Sequence, residues 1–82
     1  MARLLYFGRL ADATGTPLET IDLPASIADT SALRQWIDAE HGSSGALLEN
    51  TVRLAINNEI ASEPAPVSNA DEIAFMPPVG GG

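Results

Sequence analysis

Apolar residues alternate with polar ones, or run together, in five short stretches of the chain. These predicted strands cover residues 4–7, 18–23, 51–56, 59–61 and 72–76. The turn signal Gly15-Thr16-Pro17 separates the first two strands, and Asn57-Asn58 separates the third from the fourth. The pattern therefore predicts two hairpins, one in each half of the chain.

One amphipathic helix is predicted over residues 31–40. Leu33, Trp36 and Ile37 stand at i, i+3 and i+4 and form a single apolar stripe. Thr30 is the expected N-cap, because its hydroxyl can accept a hydrogen bond from the first helical turn. One helix covers only one face of a sheet. The order strand, strand, helix, strand, strand, strand thus indicates an α+β fold of the β-grasp, or ubiquitin-like, type, in which one main helix packs on a mixed sheet in two layers.

Strand alternation predicts large apolar side chains on the face of the sheet that the helix leaves bare. If Tyr6 and Phe75 point toward the helix, Phe7 and Met76 point away from it, near the ends of their strands. Ile60 on the short fourth strand could join them. Two interpretations stay open: these residues are scattered or loop-covered surface apolars, or they form a docking patch.

Composition excludes several kinds of chemistry. The 82 residues hold four arginines, no lysine, one histidine and no cysteine against eleven carboxylates, for a formal charge of −7. Without cysteine there is no disulfide or thiolate, and a single histidine forms no two-histidine motif, so no metal site is predicted. The acidic charge argues against nucleic acid or an anionic membrane as partner and favours a basic protein. With no membrane-length apolar run and no visible signal peptide, a cytoplasmic location is expected.

The remaining polar residues are given structural roles. Arg9, Arg34 and Arg53 are expected to be solvated, with pairing across an interface as the alternative for any of them. His41 is expected to interact with the dipole at the helix C-terminus. The irregular segment 43–50 is expected to bury both of its adjacent leucines, at positions 47 and 48.

The last six residues, Pro77 to Gly82, cannot continue a helix or a central strand. A domain is therefore predicted over 1–76, followed by a flexible tail over 77–82. The two prolines stiffen the base of this arm, which can extend roughly 20 Å. A terminal glycine offers an unhindered acyl carbon, but its carboxylate is an anion that another enzyme must activate, most simply as an acyl-adenylate. An inert, linker-like terminus is the alternative.

Two segments carry a resemblance to a known family. These are Ala55–Ile60 and Asp71–Gly82, the second of which reads DEIAFMPPVGGG. The chain resembles the small subunit of molybdopterin synthase (the MoaD family), which ends in an aromatic strand, Pro-Pro-Val, one variable residue and Gly-Gly. The resemblance covers essentially the whole chain, and its last dozen residues are the specific part. Met76 departs from the pattern, because an aromatic residue is common at that position.

The resemblance implies a sulfur carrier that binds no cofactor. A ubiquitin-activating-enzyme-like partner (MoeB type) would use ATP to adenylate Gly82, whose carboxylate would become a thiocarboxylate. The tail would then enter the large synthase subunit (MoaE type) and donate sulfur to a cyclic pyranopterin monophosphate, which builds the dithiolene of molybdopterin. Gly82 would thus carry the sulfur, with Gly81 completing the diglycine, and the chain alone is expected to have no turnover.

A set of apolar and tail residues is expected to contact the partner: Phe7, Ile60, Met76, Pro77, Pro78, Val79 and Gly80. Three other interpretations stay open. They are a carrier of the thiamin-pathway (ThiS) type, a ubiquitin-like protein modifier, and a plain binding module with an inert tail.

Overall fold

The computed structural model describes residues 1–78, and within them it contains five strands and two helices. In chain order these are β1 (Ala2–Tyr6), α1 (Arg9–Thr14), β2 (Leu18–Ile21), α2 (Thr30–His41), β3 (Arg53–Ile56), β4 (Glu59–Ile60) and β5 (Glu72–Met76). All five predicted strands are confirmed, and β5 has the predicted bounds. Neither helix among the described residues is long and apolar enough to cross a membrane.

The strands form one mixed sheet in the order β2-β1-β5-β3-β4. β1 pairs antiparallel with β2 and parallel with β5, and β3 pairs antiparallel with both β5 and β4. The β3–β4 hairpin turns through Asn57 (φ 52°) and Asn58 (φ 73°), two positive φ values that asparagine tolerates well. This topology confirms the predicted β-grasp arrangement and places β5 at the centre of the sheet.

Helix α2 begins one residue away from its predicted cap. Asp29 is the N-cap, and its Oδ1 accepts a 2.8 Å hydrogen bond from the backbone N–H of Ala32. The prediction of Thr30 is wrong, because that hydroxyl is fully buried and instead accepts a bond from the backbone N–H of Ala65 at 3.1 Å. Thr30 therefore ties the helix to the 61–71 loop, while Asp29 satisfies the first turn.

The core lies between α2 and one face of the sheet. The helix contributes Leu33 and Ile37, with Trp36 packed at the margin. The sheet contributes alternate residues that are completely buried: Leu4, Leu54, Ile73 and Phe75. Neither of the two helices in residues 1–78 covers the other face of the sheet, as predicted.

The segment between α2 and β3 buries only one of its two leucines. Leu47 is fully buried, whereas Leu48 is 47% exposed, so the prediction for Leu48 is wrong. The Asp38 carboxylate accepts hydrogen bonds from the backbone N–H groups of Gly45 (2.9 Å) and Leu47 (3.2 Å). These bonds fix the loop with Leu47 turned inward, and its neighbour is left on the surface.

Arg34 is not solvated, contrary to expectation. Its guanidinium makes a bidentate pair with Glu63, at 2.9 and 2.6 Å, and donates to three backbone carbonyls, those of Leu47, Glu49 and Val52. Only 11% of its side chain is exposed. Arg34 therefore joins α2 to the segment before β3 and to the loop after β4.

Candidate functional site

The tail starts from the middle of the sheet. β1 and β5 are parallel, so both finish at the same end of the sheet, which we call the exit end. β3 is antiparallel to β5 and begins at the exit end, where Arg53 is paired with Met76. Pro77, which is partly buried, and Pro78, which is exposed, continue outward from there. The described part of the tail, Pro77-Pro78, therefore leaves the sheet from its central strand.

Gly8 provides the space for the first proline. Its φ of 55° and ψ of −135° lie in a region that favours glycine. A Cβ added at Gly8 would lie 3.0 Å from the Pro77 Cγ. The base of the tail is thus held against a bare stretch of backbone that directly follows β1. This role of Gly8 was not predicted, although a glycine immediately after the first strand is the signal for it.

The open face of the sheet carries an apolar row that crosses all five strands. The pairing register places its members side by side in the order Leu18, Leu5, Ala74, Ala55 and Ile60. Leu18 and Ile60, at the two ends, are 43% and 61% exposed. Leu5 and Leu18 were not among the predicted contact residues, because the register that aligns them was not available from the sequence.

A second row lies closer to the exit end. The Phe7 backbone N–H donates to the Phe75 carbonyl at 3.0 Å, which extends the β1–β5 ladder by one residue and sets Phe7 beside Met76. Phe7 is 49% exposed and Met76 is partly buried. Met76, Ile60, Pro77 and Pro78 line one open groove together with Arg53. The structure thus brings the predicted residues Ile60, Met76, Pro77 and Pro78 together, with Phe7 on the opposite flank of β5.

The predicted residues Val79, Gly80, Gly81 and Gly82 lie outside the described residues. Their expected roles in partner contact and sulfur transfer therefore stay predictions.

A polar cluster supports the exit end from the helix side. The Tyr6 hydroxyl donates to Glu19 Oε2 at 2.7 Å, and His41 Nε2 lies 2.5 Å from the same oxygen. The Tyr6 ring packs on Phe75 with ring centroids 5.3 Å apart. Burial, followed by the contact with Glu19, raises the pKa of Tyr6 far above its ordinary value, so the phenol stays protonated and acts as a donor. His41 therefore joins α2 to β2, in addition to its place in the last helical turn.

The described residues contain neither a group of side chains that could hold a metal ion nor a buried polar side-chain atom without a partner. Among residues 1–78, no three His, Asp or Glu side chains are grouped so that they could hold a metal ion. Every buried side-chain nitrogen and oxygen in this part of the chain has a hydrogen-bond partner. What the arrangement offers is a stiff tail base, flanked by exposed apolar side chains on a bare sheet face.

Comparison with known proteins gives a consistent family. The model of the ThiS family matches residues 4–82. The chain is 32% identical to the molybdopterin synthase sulfur carrier subunit of Escherichia coli (strain K12), over all of both chains. It is 34% identical to the human protein of the same name, over 96% of this chain and 91% of that protein.

Solved structures share the fold. SAMP1 from Haloferax volcanii superposes with a TM-score of 0.80 at 20% identity, covering 99% of this chain and 98% of that one. In a complex of subunits 1 and 2 of the molybdopterin-converting factor from Helicobacter pylori 26695, a chain superposes with a TM-score of 0.67 at 22% identity, covering 99% of this chain and 97% of that one. The chain belongs to the ThiS family, among the molybdopterin synthase sulfur carrier subunits.

Proposed function

We propose that this protein is the sulfur carrier subunit of a molybdopterin synthase and that Gly82 holds the sulfur as a thiocarboxylate. The observation that carries the proposal is the full-length similarity to sulfur carrier subunits, from the first strand through the final diglycine. The described geometry supports it, because the tail leaves the centre of a sheet whose open face is apolar at that end.

Loading of the tail is proposed to need a separate adenylating partner of the MoeB type. The Gly82 carboxylate attacks the α-phosphate of ATP and releases pyrophosphate, which leaves an acyl-adenylate. A sulfur nucleophile at the oxidation level of sulfide then attacks the acyl carbon, so that a carbon–sulfur bond forms, AMP leaves and one proton is released. The carrier contributes the acyl carbon alone and binds no cofactor. Since ATP is consumed, the proposed location is the cytoplasm.

Delivery is proposed to occur inside a large subunit of the MoaE type. The solved Helicobacter pylori assembly contains subunits 1 and 2 of its converting factor. By analogy, the open face and the exit end of this chain dock on the large subunit, with Phe7, Met76 and Ile60 as apolar contacts. Pro77 and Pro78 start the tail in a fixed direction, which reduces the entropy lost when Val79 to Gly82 enter a channel. The thiocarboxylate sulfur then displaces an oxygen substituent on the side chain of cyclic pyranopterin monophosphate, and water cleaves the acyl–sulfur bond so that Gly82 returns as a carboxylate. Two such transfers supply the two sulfurs of the dithiolene.

Reconstitution of dithiolene formation tests this function. Thiocarboxylated protein, the purified large subunit and cyclic pyranopterin monophosphate should together yield molybdopterin, while carboxylate-form protein should not. A variant lacking Gly81 and Gly82 should fold with unchanged stability and give no product. Product formed equally well with that variant would contradict the proposal. If loaded protein instead formed stable adducts with lysines of other proteins, the modifier interpretation would replace it.

A further inference from the structure

Among the described strands, Arg53 is the one charged side chain that the pairing register places at the exit end of the open face. It stands at the start of β3, directly opposite Met76. It lines the groove that contains Met76, Ile60 and the two tail prolines. It also lines the neighbouring groove, where Ile60 and Glu63 are found. An exposed guanidinium is therefore set among the apolar groups that flank the tail base.

Arg53 is not paired with a carboxylate within residues 1–78. The structure contains no ion pair for it among these residues. Glu63 is close enough for Arg53 to contribute weakly to its lowered pKa, but both Glu63 oxygens are already bound by Arg34, at 2.9 and 2.6 Å. The other arginine on the open face, Arg3, lies toward the opposite end of β1 and is paired with Glu72 at 3.4 Å.

The positive charge of Arg53 at the exit end is opposite to the net negative charge of the chain. Eleven carboxylates against four arginines give a formal charge of −7. Yet both arginines within the strands, Arg3 and Arg53, point to the open face, where Glu72 is the one strand carboxylate. A partner that covers the exit end would desolvate the Arg53 guanidinium, which costs free energy unless a carboxylate meets it.

We propose that Arg53 is a specificity residue that pairs with a carboxylate on the large subunit, inside an otherwise apolar contact. The inference rests on the proposed function, since it takes the large subunit as the protein that covers the open face. The partner surface it describes has an acidic side chain beside the entrance of the tail channel, ringed by apolar groups. A guanidinium suits this position, because it is weakly hydrated and binds a carboxylate through two parallel hydrogen bonds.

The test compares the affinity of four proteins for the purified large subunit by calorimetry: wild type, Arg53→Leu, Arg53→Lys and Arg3→Leu. Arg53→Leu is expected to weaken binding at least about tenfold, Arg53→Lys less, and Arg3→Leu by no more than about twofold. Arg53 is exposed, so all four should unfold at similar temperatures. A double-mutant cycle should also identify one large-subunit carboxylate as the partner of Arg53. Removal of that carboxylate should weaken the binding of wild type but cause no further loss of affinity for Arg53→Leu.

Wild-type affinity in Arg53→Leu, or tighter binding, would overturn the proposal while leaving the sulfur carrier function intact. The proposal would also be overturned if, for every carboxylate on the large-subunit surface, the loss of affinity on its removal simply added to the loss caused by Arg53→Leu. Faster adenylation of Arg53→Leu with unchanged affinity would mean that Arg53 holds the chain's own terminal carboxylate, which also overturns it. Failure of wild type itself to bind the large subunit would instead count against the proposed function.

Discussion

At the residue scale, Gly8 and Pro77 determine how the tail begins. Gly8 adopts a positive φ of 55°, and a Cβ there would approach the Pro77 Cγ to 3.0 Å. The sequence shows a glycine after the first strand and two prolines after the last. That the two meet depends on the parallel pairing of β1 with β5, which no local pattern specifies.

Replacement of Gly8 by alanine tests this contact. Gly8→Ala is expected to lower the free energy of unfolding by about 1–3 kcal/mol, because it adds backbone strain and displaces Pro77. Gly45→Ala is the matched control, since Gly45 also has a positive φ (87°) but nothing within 4 Å of the added Cβ. Urea denaturation should show the larger loss for Gly8→Ala, together with weaker binding to the large subunit. Equal losses and equal binding for the two variants would rule out the contact.

Arg34 and Glu63 form the best-defined ion pair of the described residues. Hydrogen bonds from Arg34 are the main cause that lowers the pKa of Glu63 below its ordinary value. A carboxyl whose pKa is lower in the folded state stabilises the fold above its unfolded pKa, and this stability is lost as the pH falls through the folded value. The pair is 11% and 24% exposed, so solvent screens it only in part.

The lowered pKa of Glu63 in the folded state predicts how the free energy of unfolding depends on pH. Wild type should exceed Glu63→Gln by about 1 kcal/mol near neutral pH, and the gap should close as the pH falls below the ordinary carboxyl range and through the lowered pKa of Glu63 in the folded state. Glu49→Gln is the control, because Glu49 makes an exposed 3.4 Å pair with Arg9 and should change stability little. Denaturation curves at several pH values measure the gap. A gap that stays constant or widens on acidification would contradict the assignment.

At the element scale, the sequence predicts what is locally encoded and misses what depends on distant contacts. The bounds of β5 and the Asn57-Asn58 turn follow from alternation and from the φ preference of asparagine, and both are confirmed. The cap of α2 was misplaced by one residue, because the Thr30 hydroxyl is engaged by Ala65, 35 positions away. The prediction that Leu48 is buried failed for a similar reason. The hydrogen bonds that orient its loop are accepted by Asp38, which lies outside that segment, in α2.

The open face of the sheet should bind the partner at one end only. Phe7→Asp puts a charge among the apolar residues at the exit end, and is expected to weaken large-subunit binding at least about tenfold. Thr20→Asp adds the same charge to the same face, but on β2 opposite Arg3, away from the exit end, and should change binding little. Both positions are exposed, so stability should be nearly unchanged. Equal effects of the two variants on affinity would show that the docking surface is not confined to the exit end.

At the scale of the whole molecule, the pairing of the strands decides which side chains meet on the open face. Alternation alone predicted that Phe7 and Met76 lie on the bare face. The continuous row from Leu18 to Ile60 could not be predicted, because it requires the register of four strand pairings. The exposed Arg53 was expected, but its position beside the tail base was not. The fold could thus be predicted from the periodicity of apolar residues. Which residues meet at the candidate site depends on the strand topology, which the sequence pattern does not specify.

If Gly82 carries sulfur as a thiocarboxylate, loading must change the mass of the intact protein. The protein is incubated with its cognate adenylating enzyme, ATP and a sulfide donor, and a variant lacking Gly81 and Gly82 is treated in parallel. The full chain should gain the mass difference between one sulfur and one oxygen, located in the C-terminal peptide, and the variant should gain nothing. An unchanged mass for the full chain, in a reaction that loads a known carrier, would contradict it.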